Sequence, residues 1–196
     1  MEQLQNLAAV SLNGSMKSVI VIHSYNGDTK DSIAPFIEKY CMEKNISYSF
    51  PIFPIRSDAT YESWKMIMKS ISLNKDSIVI AHSLGTKFIL KYLLDTKIKI
   101  DTYISVAGFC DFKGREDLEH IIKDFEIDEY DYCKVIGNIK NRYSIYSDND
   151  KMNSVQNCIK YADLLKAHKI LIKGGNHFDP SSPIHHLTCI EEIIGE

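Results

Sequence analysis

Val19-Ile20-Val21-Ile22 is a run of four β-branched residues with no polar face. Such a strand is stable only when both of its faces are covered, as in a parallel sheet. Similar short runs recur at Ile46 to Phe53, Ser77 to Ala81, Tyr103 to Ala107, Tyr143 to Tyr146 and Lys169 to Ile172. Helical spacing fills the gaps between them. Asp31 is placed to cap a helix reaching about Lys44, with Ile33, Phe36, Ile37 and Tyr40 on one face. Residues 60–74 carry Tyr61, Trp64, Ile67, Met68 and Ile71 at the same spacing. Leu84 to Asp95 is apolar nearly all round, which predicts a buried helix. Residues 109–139 are mixed and acidic, and Leu118, Ile121, Ile122 and Phe125 mark one short helix there. Residues 153–167 and Ile184 to Ile194 give the last two helices. Strand and helix alternate without a hairpin signal. The expected architecture is therefore α/β: a single three-layer α/β/α domain around a six-stranded, mostly parallel sheet with right-handed crossovers.

Composition narrows the functions available. The chain has 196 residues, 44% hydrophobic and 25% charged, enough for one core without disulfide or metal support. A net charge of −3 gives no field that would gather nucleic acid. Cys41, Cys110, Cys133, Cys158 and Cys189 are odd in number and show no C-x-x-C spacing. They predict neither a disulfide framework nor a zinc site, and they suit a reducing, cytoplasmic compartment. No apolar run approaches the roughly 18 residues of a membrane span. Residues 1–15 end in an Asn-Gly-Ser turn signal and read as a flexible leader. In one reading that leader is vector-derived, with Met16 the natural start and 16–196 the domain.

In an open parallel sheet, ligands gather at the carboxyl ends of the strands. Ala81-His82-Ser83-Leu84-Gly85 stands after the third strand and opens the buried helix. Small residues two before and two after a serine allow a sharp strand-to-helix turn, the nucleophile elbow, here with Ala81 replacing the usual first glycine. The plainer alternative is an ordinary serine in a turn. Ser147-Asp148-Asn149-Asp150 follows the fifth strand, and Gly174-Gly175-Asn176-His177-Phe178 follows the sixth. Serine needs a base to take its proton, and that base needs an acid to fix its tautomer. Ser83, Asp150 and His177 are the candidates, in the chain order of the α/β-hydrolase arrangement. Asp150 is favoured over Asp148 because it lies further into the loop, before a helix whose amides can hold it ionised; Asp148 is expected to cap its own turn. After the first strand, His23-Ser24-Tyr25-Asn26-Gly27-Asp28 offers a tight loop. Its Tyr25 amide, preferred over that of Ser24, and the Leu84 amide are the expected oxyanion donors. As a plain turn, the same loop would use Asn26-Gly27 for positive φ.

The other histidines take plainer readings. His82 packs at the elbow, and His185-His186 opens the last helix without metal partners. The acidic stretch from Arg115 to Asp131 is read as a solvated face. There is no Gly-x-Gly-x-x-Gly after the first strand and no phosphate-binding loop, so nucleotide-binding functions are excluded.

From about Lys17 onward the sequence resembles the small serine hydrolases related to retinoblastoma-binding protein 9, within the α/β-hydrolase superfamily. V-I-V-I-H-S-Y, F-P-I-R…Y-E-S-W, A-H-S-L-G, Y-S-D-N-D and G-G-N-H-F carry the likeness. It implies Ser83 as nucleophile, His177 as base and Asp150 as orienting acid, acting on small esters or amides. No cofactor or metal is implied. The sequence departs from the family after Asp150, with Lys-Met-Asn-Ser in place of proline-containing turns, and at Ser24, where many hydrolases have glycine. The expected activity is hydrolysis through an acyl-enzyme, carboxylesterase-like or aminopeptidase-like. The alternatives are a catalytically idle protein-binding module and an acyltransferase. Residues 108–139 leave length for only a minimal lid, so short acyl or aminoacyl substrates are expected at an open site.

Overall fold

The computed structural model describes residues 17–27, 33–112 and 116–196. The leader over residues 1–15 and the Asp31 cap lie outside the described residues. The strands are β1 (Ser18–Ile22), β2 (Ser47–Ser49), β3 (Ser77–His82), β4 (Ile100–Val106), β5 (Ile139–Ser147) and β6 (His168–Ile172). They form one sheet in the order β2-β1-β3-β4-β5-β6, and every neighbouring pair is parallel. The helices are α1 (Ala34–Lys44), α2 (Tyr61–Met68), α3 (Leu84–Thr96), α4 (Glu116–Asp124), α5 (Glu129–Val135), α6 (Val155–Leu164) and α7 (Thr188–Gly195).

Alternation along β1 builds the two cores. Val19 and Val21 join α1 and α7 through Ile37, Cys41, Ile190 and Ile194. Ile20 and Ile22 face the opposite side with Trp64, Phe88, Tyr103 and Tyr161. All of these apolar side chains are buried, which is why the run Val19 to Ile22 carries no polar residue. Helix α3 is buried over most of its circumference, from Leu84 to Leu93, as its composition predicts. Local signals set the helix ends. Asn45 closes α1 in the left-handed region, and Thr60 with Ser63 forms a reciprocal capping box on α2.

Several boundaries differ from expectation. The second strand pairs only over Ser47–Ser49, because Pro51 and Pro54 lack the N–H that pairing needs. Phe53 instead turns inward and donates its amide to His23. Helix α2 stops at Met68, where the Ser70 hydroxyl caps the Ile67 carbonyl. The segment after β4 makes two helices rather than one, the second burying Tyr132 and Val135. Strand β5 begins at Ile139, because Lys140, Asn141 and Arg142 pair at a polar end of the sheet remote from the β-strand carboxyl ends. The last helix begins at Thr188, not Ile184: Ser182 Oγ takes the Ile184 amide and donates to the Gly175 carbonyl, holding the preceding residues extended. Among the described residues, no helix is long and apolar enough to cross a membrane. All five cysteines are free thiols.

Candidate active site

Ser83 sits between β3 and α3 with φ 50° and ψ −116°, a backbone conformation that L-residues rarely adopt. Its amide donates to the Val106 carbonyl at the end of β4, at 2.9 Å. A Cβ on Gly85 would stand 2.7 Å from the His23 carbonyl oxygen, so the turn can lie against β1 only with glycine there. Ala81 is fully buried in the sheet. Small residues on either side of the serine are thus a matter of space.

The loops after β5 and β6 meet above the sheet. His177 Nδ1 lies 2.8 Å from Asp150 Oδ2, and His177 Nε2 lies 3.0 Å from Ser83 Oγ. A carboxylate can only accept, so Nδ1 carries the ring proton and Nε2 faces the serine hydroxyl as acceptor. The Asp150 side chain is 1% exposed. Its other oxygen accepts the amides of Met152 at 2.7 Å and Asn153 at 3.1 Å, so the buried carboxylate is fully solvated by protein. The structure therefore brings Ser83, His177 and Asp150 together in one hydrogen-bonded line.

Asp148 lies elsewhere. It does not cap its own turn; its Oδ1 accepts the Gly174 amide across the gap at 2.8 Å. Asn149 adds two more ties, accepting the Asn176 amide and donating to the Asn176 side chain, each at 2.8 Å. His177 is flanked by Asn176 and Phe178, both at positive φ, a geometry these bonds hold in place. His82 is buried at the elbow, as expected, and its Nε2 also bonds the His177 carbonyl oxygen at 2.8 Å. The motif arithmetic did not reveal Asn149, Asn176 or this second role of His82. The signal was an amide at the same loop depth on two adjacent strand ends.

The β1 loop is held by His23, which is fully buried. Its Nε2 accepts the Phe53 amide at 2.9 Å, leaving Nδ1–H to donate to the Ser24 carbonyl at 2.7 Å. Neither Asn26 nor Gly27 has positive φ. Gly27 is needed for room instead: a Cβ there would sit 2.5 Å from the His23 side chain. Tyr25 and Leu84, the expected oxyanion donors, both line the cavity beside Ser83, as does Ser24. As the first residue of α3, Leu84 has no intrahelical carbonyl to occupy its amide.

That cavity holds about 500 Å³. One wall comes from Phe109, Phe112, Leu118, Ile121, Ile122 and Met152. Helix α4 supplies three of these residues, while its Glu119, His120 and Lys123 point to solvent. The solvated acidic face and an apolar cavity wall are thus two sides of one helix. Lys87, buried in α3, anchors the start of this wall by donating to the Cys110 carbonyl at 2.8 Å and lying 4.8 Å over the Phe109 ring. Burial lowers its ammonium pKa, against the pull of nearby Glu126. His185 and His186 precede α7 rather than opening it, and His186 pairs with Glu191. Among the described residues, no group of three His, Cys, Asp or Glu is placed to hold a metal ion.

A parallel three-layer sheet with a serine on a positive-φ elbow, and an acid and a histidine on the next strand ends, defines an α/β-hydrolase fold. Within that class the chain belongs to the serine hydrolase family, whose model matches residues 54–194. It is 24% identical over 182 residues to YdeN of Bacillus subtilis, covering 91% of this chain and 94% of that protein. The crystal structure of the B. subtilis ydeN product superposes with a TM-score of 0.82 at 21% identity, covering 92% of this chain and 97% of that one. Mouse α/β hydrolase domain-containing protein 10 gives 0.69 at 15% identity, with 94% and 92% covered. Est1E from Butyrivibrio proteoclasticus gives 0.61 at 15% identity, with 93% and 87% covered. At such identities the structural likeness shows the shared fold.

Proposed function

We infer that this chain cleaves small carboxylic ester or amide bonds through an acyl-enzyme intermediate. The observation that carries this reading is the line from Ser83 Oγ through His177 to Asp150, with contacts of 3.0 and 2.8 Å, at a strained elbow beside the cavity. Ser83 Oγ attacks the substrate carbonyl carbon as its proton passes to His177 Nε2. The carbonyl oxygen becomes an oxyanion, held by the Leu84 and Tyr25 amides. Asp150 stabilises the imidazolium and keeps the ring in the tautomer that accepts. The imidazolium then protonates the leaving alcohol or amine. A water molecule, deprotonated by His177, attacks the acyl-enzyme and releases the acid.

The narrower kinship with hydrolases related to retinoblastoma-binding protein 9 is part of this proposal, supported by the A-H-S-L-G and G-G-N-H-F segments. So are a carboxylesterase-like range that includes aminoacyl groups, the independence of any cofactor and a cytoplasmic setting, for which five unpaired cysteines are the support. The test is a fluorophosphonate probe, which reacts only with an activated serine. The native chain is expected to label and Ser83→Ala to stay unlabelled while folded, with an esterase rate about 10⁶ lower. Labelling that survives in Ser83→Ala overturns the reading.

A further inference from the structure

The cavity beside Ser83 is electrically lopsided. Besides the apolar residues, Asp179 lines it two residues after His177, with Pro180 and Ser181. Among the described residues that line the cavity, Asp179 is the only carboxylate and none is a lysine or arginine. One carboxylate oxygen, Oδ1, is taken by the Ser181 amide at 2.9 Å and the Ser181 hydroxyl at 2.5 Å. Among the described residues, no hydrogen-bond donor is placed on Oδ2. Partial burial works to raise the carboxyl pKa, but the Ser181 bonds and the nearby His177 and His82 hold it below the ordinary aspartate range. The group is therefore an anion at neutral pH. The turn itself needs only an acceptor at position 179, which asparagine or serine would supply as well. The charge is surplus to the turn, and the residue that carries it lines the cavity that Ser83 also lines.

We propose that Asp179 is a specificity-determining residue that selects esters or amides carrying a positively charged ammonium group, whose apolar remainder packs against Phe112, Leu118 and Ile121. The assignment rests on the reading of Ser83 as nucleophile and deepens it. A cationic ammonium, with or without an N–H, is attracted to the Asp179 carboxylate in a cavity with walls of low polarity, where screening is weaker than in open solvent. An anionic substrate meets repulsion at the same point. A neutral substrate gains only the apolar wall.

Permanent charge keeps the test free of substrate titration. Two isosteric pairs place the charge on either side of the scissile bond. One is choline butyrate against 3,3-dimethylbutyl butyrate. The other is methyl 4-(trimethylammonio)butanoate against methyl 5,5-dimethylhexanoate. For the native chain, at least one pair is expected to show kcat/KM about fivefold higher for the cation, at low ionic strength. Asp179→Asn keeps an acceptor for Ser181 and removes the charge. It is expected to bring that ratio to within about twofold of unity. A native ratio near one in both pairs overturns the proposal, and so does a preference that Asp179→Asn leaves intact. Were the esters bound but not turned over, the same ratio is read from protection of Ser83 against fluorophosphonate by choline and by 3,3-dimethylbutanol. Neutral turnover without cation preference removes this inference alone. Absence of both turnover and labelling removes the Ser83 reading and this inference with it.

Discussion

In the loops after β5 and β6, hydrogen bonds between named atoms set the geometry. Asp148 holds the Gly174 amide, Asn149 holds Asn176, and Asp150 holds the His177 ring and two amides of its own loop. In α4, Leu118, Ile121 and Ile122 line the cavity and belong to the hydrophobic core. The two regions face the same cavity and control different things. Directional bonds fix angles to within a narrow range, which proton transfer requires. Apolar packing fixes volume and tolerates changes of shape, which suits the choice of acyl group.

Breaking the polar side is expected to cost most. Asp150→Asn replaces the acceptor for His177 Nδ1–H with a group that can favour the wrong tautomer, and kcat is expected to fall by as much as about 10⁴ in steady-state kinetics. Asp148→Asn keeps an oxygen for the Gly174 amide and touches the ring only through its loop. A loss of about tenfold is expected, from weakening one charged hydrogen bond. If Asp148→Asn proves the more damaging, the assignment of the orienting acid is reversed. On the apolar side, Ile121→Val removes one methylene from the wall, for roughly 1 kcal/mol of stability. Its expected signature is a severalfold shift in relative kcat/KM across acetyl, butyryl and hexanoyl esters, toward the longer chains. A flat chain-length profile in both native and variant chains would mean that α4 does not bound the acyl group.

The same contrast explains what was legible in the sequence. Strands β1 and β3 announce themselves because burial on both faces favours apolar runs such as Val19–Ile22 and Ile78–Ala81, and Tyr103, Ile104 and Val106 mark β4 in the same way. The elbow shows because Ala81, Ser83 and Gly85 are constrained within a few residues of one another. Asp150 and His177 follow from their strand ends. Asp148, Asn149 and Asn176 do not, because their partners lie across a gap and short polar residues suit any turn. The loop after β1 misled in another way: Gly27 looked like a source of positive φ, whereas the buried His23 ring simply leaves no room for a side chain. Helix α5 was hidden by its charges, since only Tyr132 and Val135 mark its inner face. The dual character of α4 was visible as an amphipathic pattern, but which apolar surface it meets depends on the return of the chain from β4.

The elbow conformation of Ser83 has a thermodynamic side. A serine at φ 50° and ψ −116° holds strain of about 1–3 kcal/mol, a share of which a glycine in its place would release. Glycine gives back part of that gain through its freer unfolded chain, leaving about 1 kcal/mol in favour of the variant. Ser83→Gly is therefore expected to melt a few degrees above the native protein in a thermal scan, although it has no hydroxyl to acylate. At this position stability and the activity proposed for Ser83 are opposed, and the native chain lies on the less stable side of that trade.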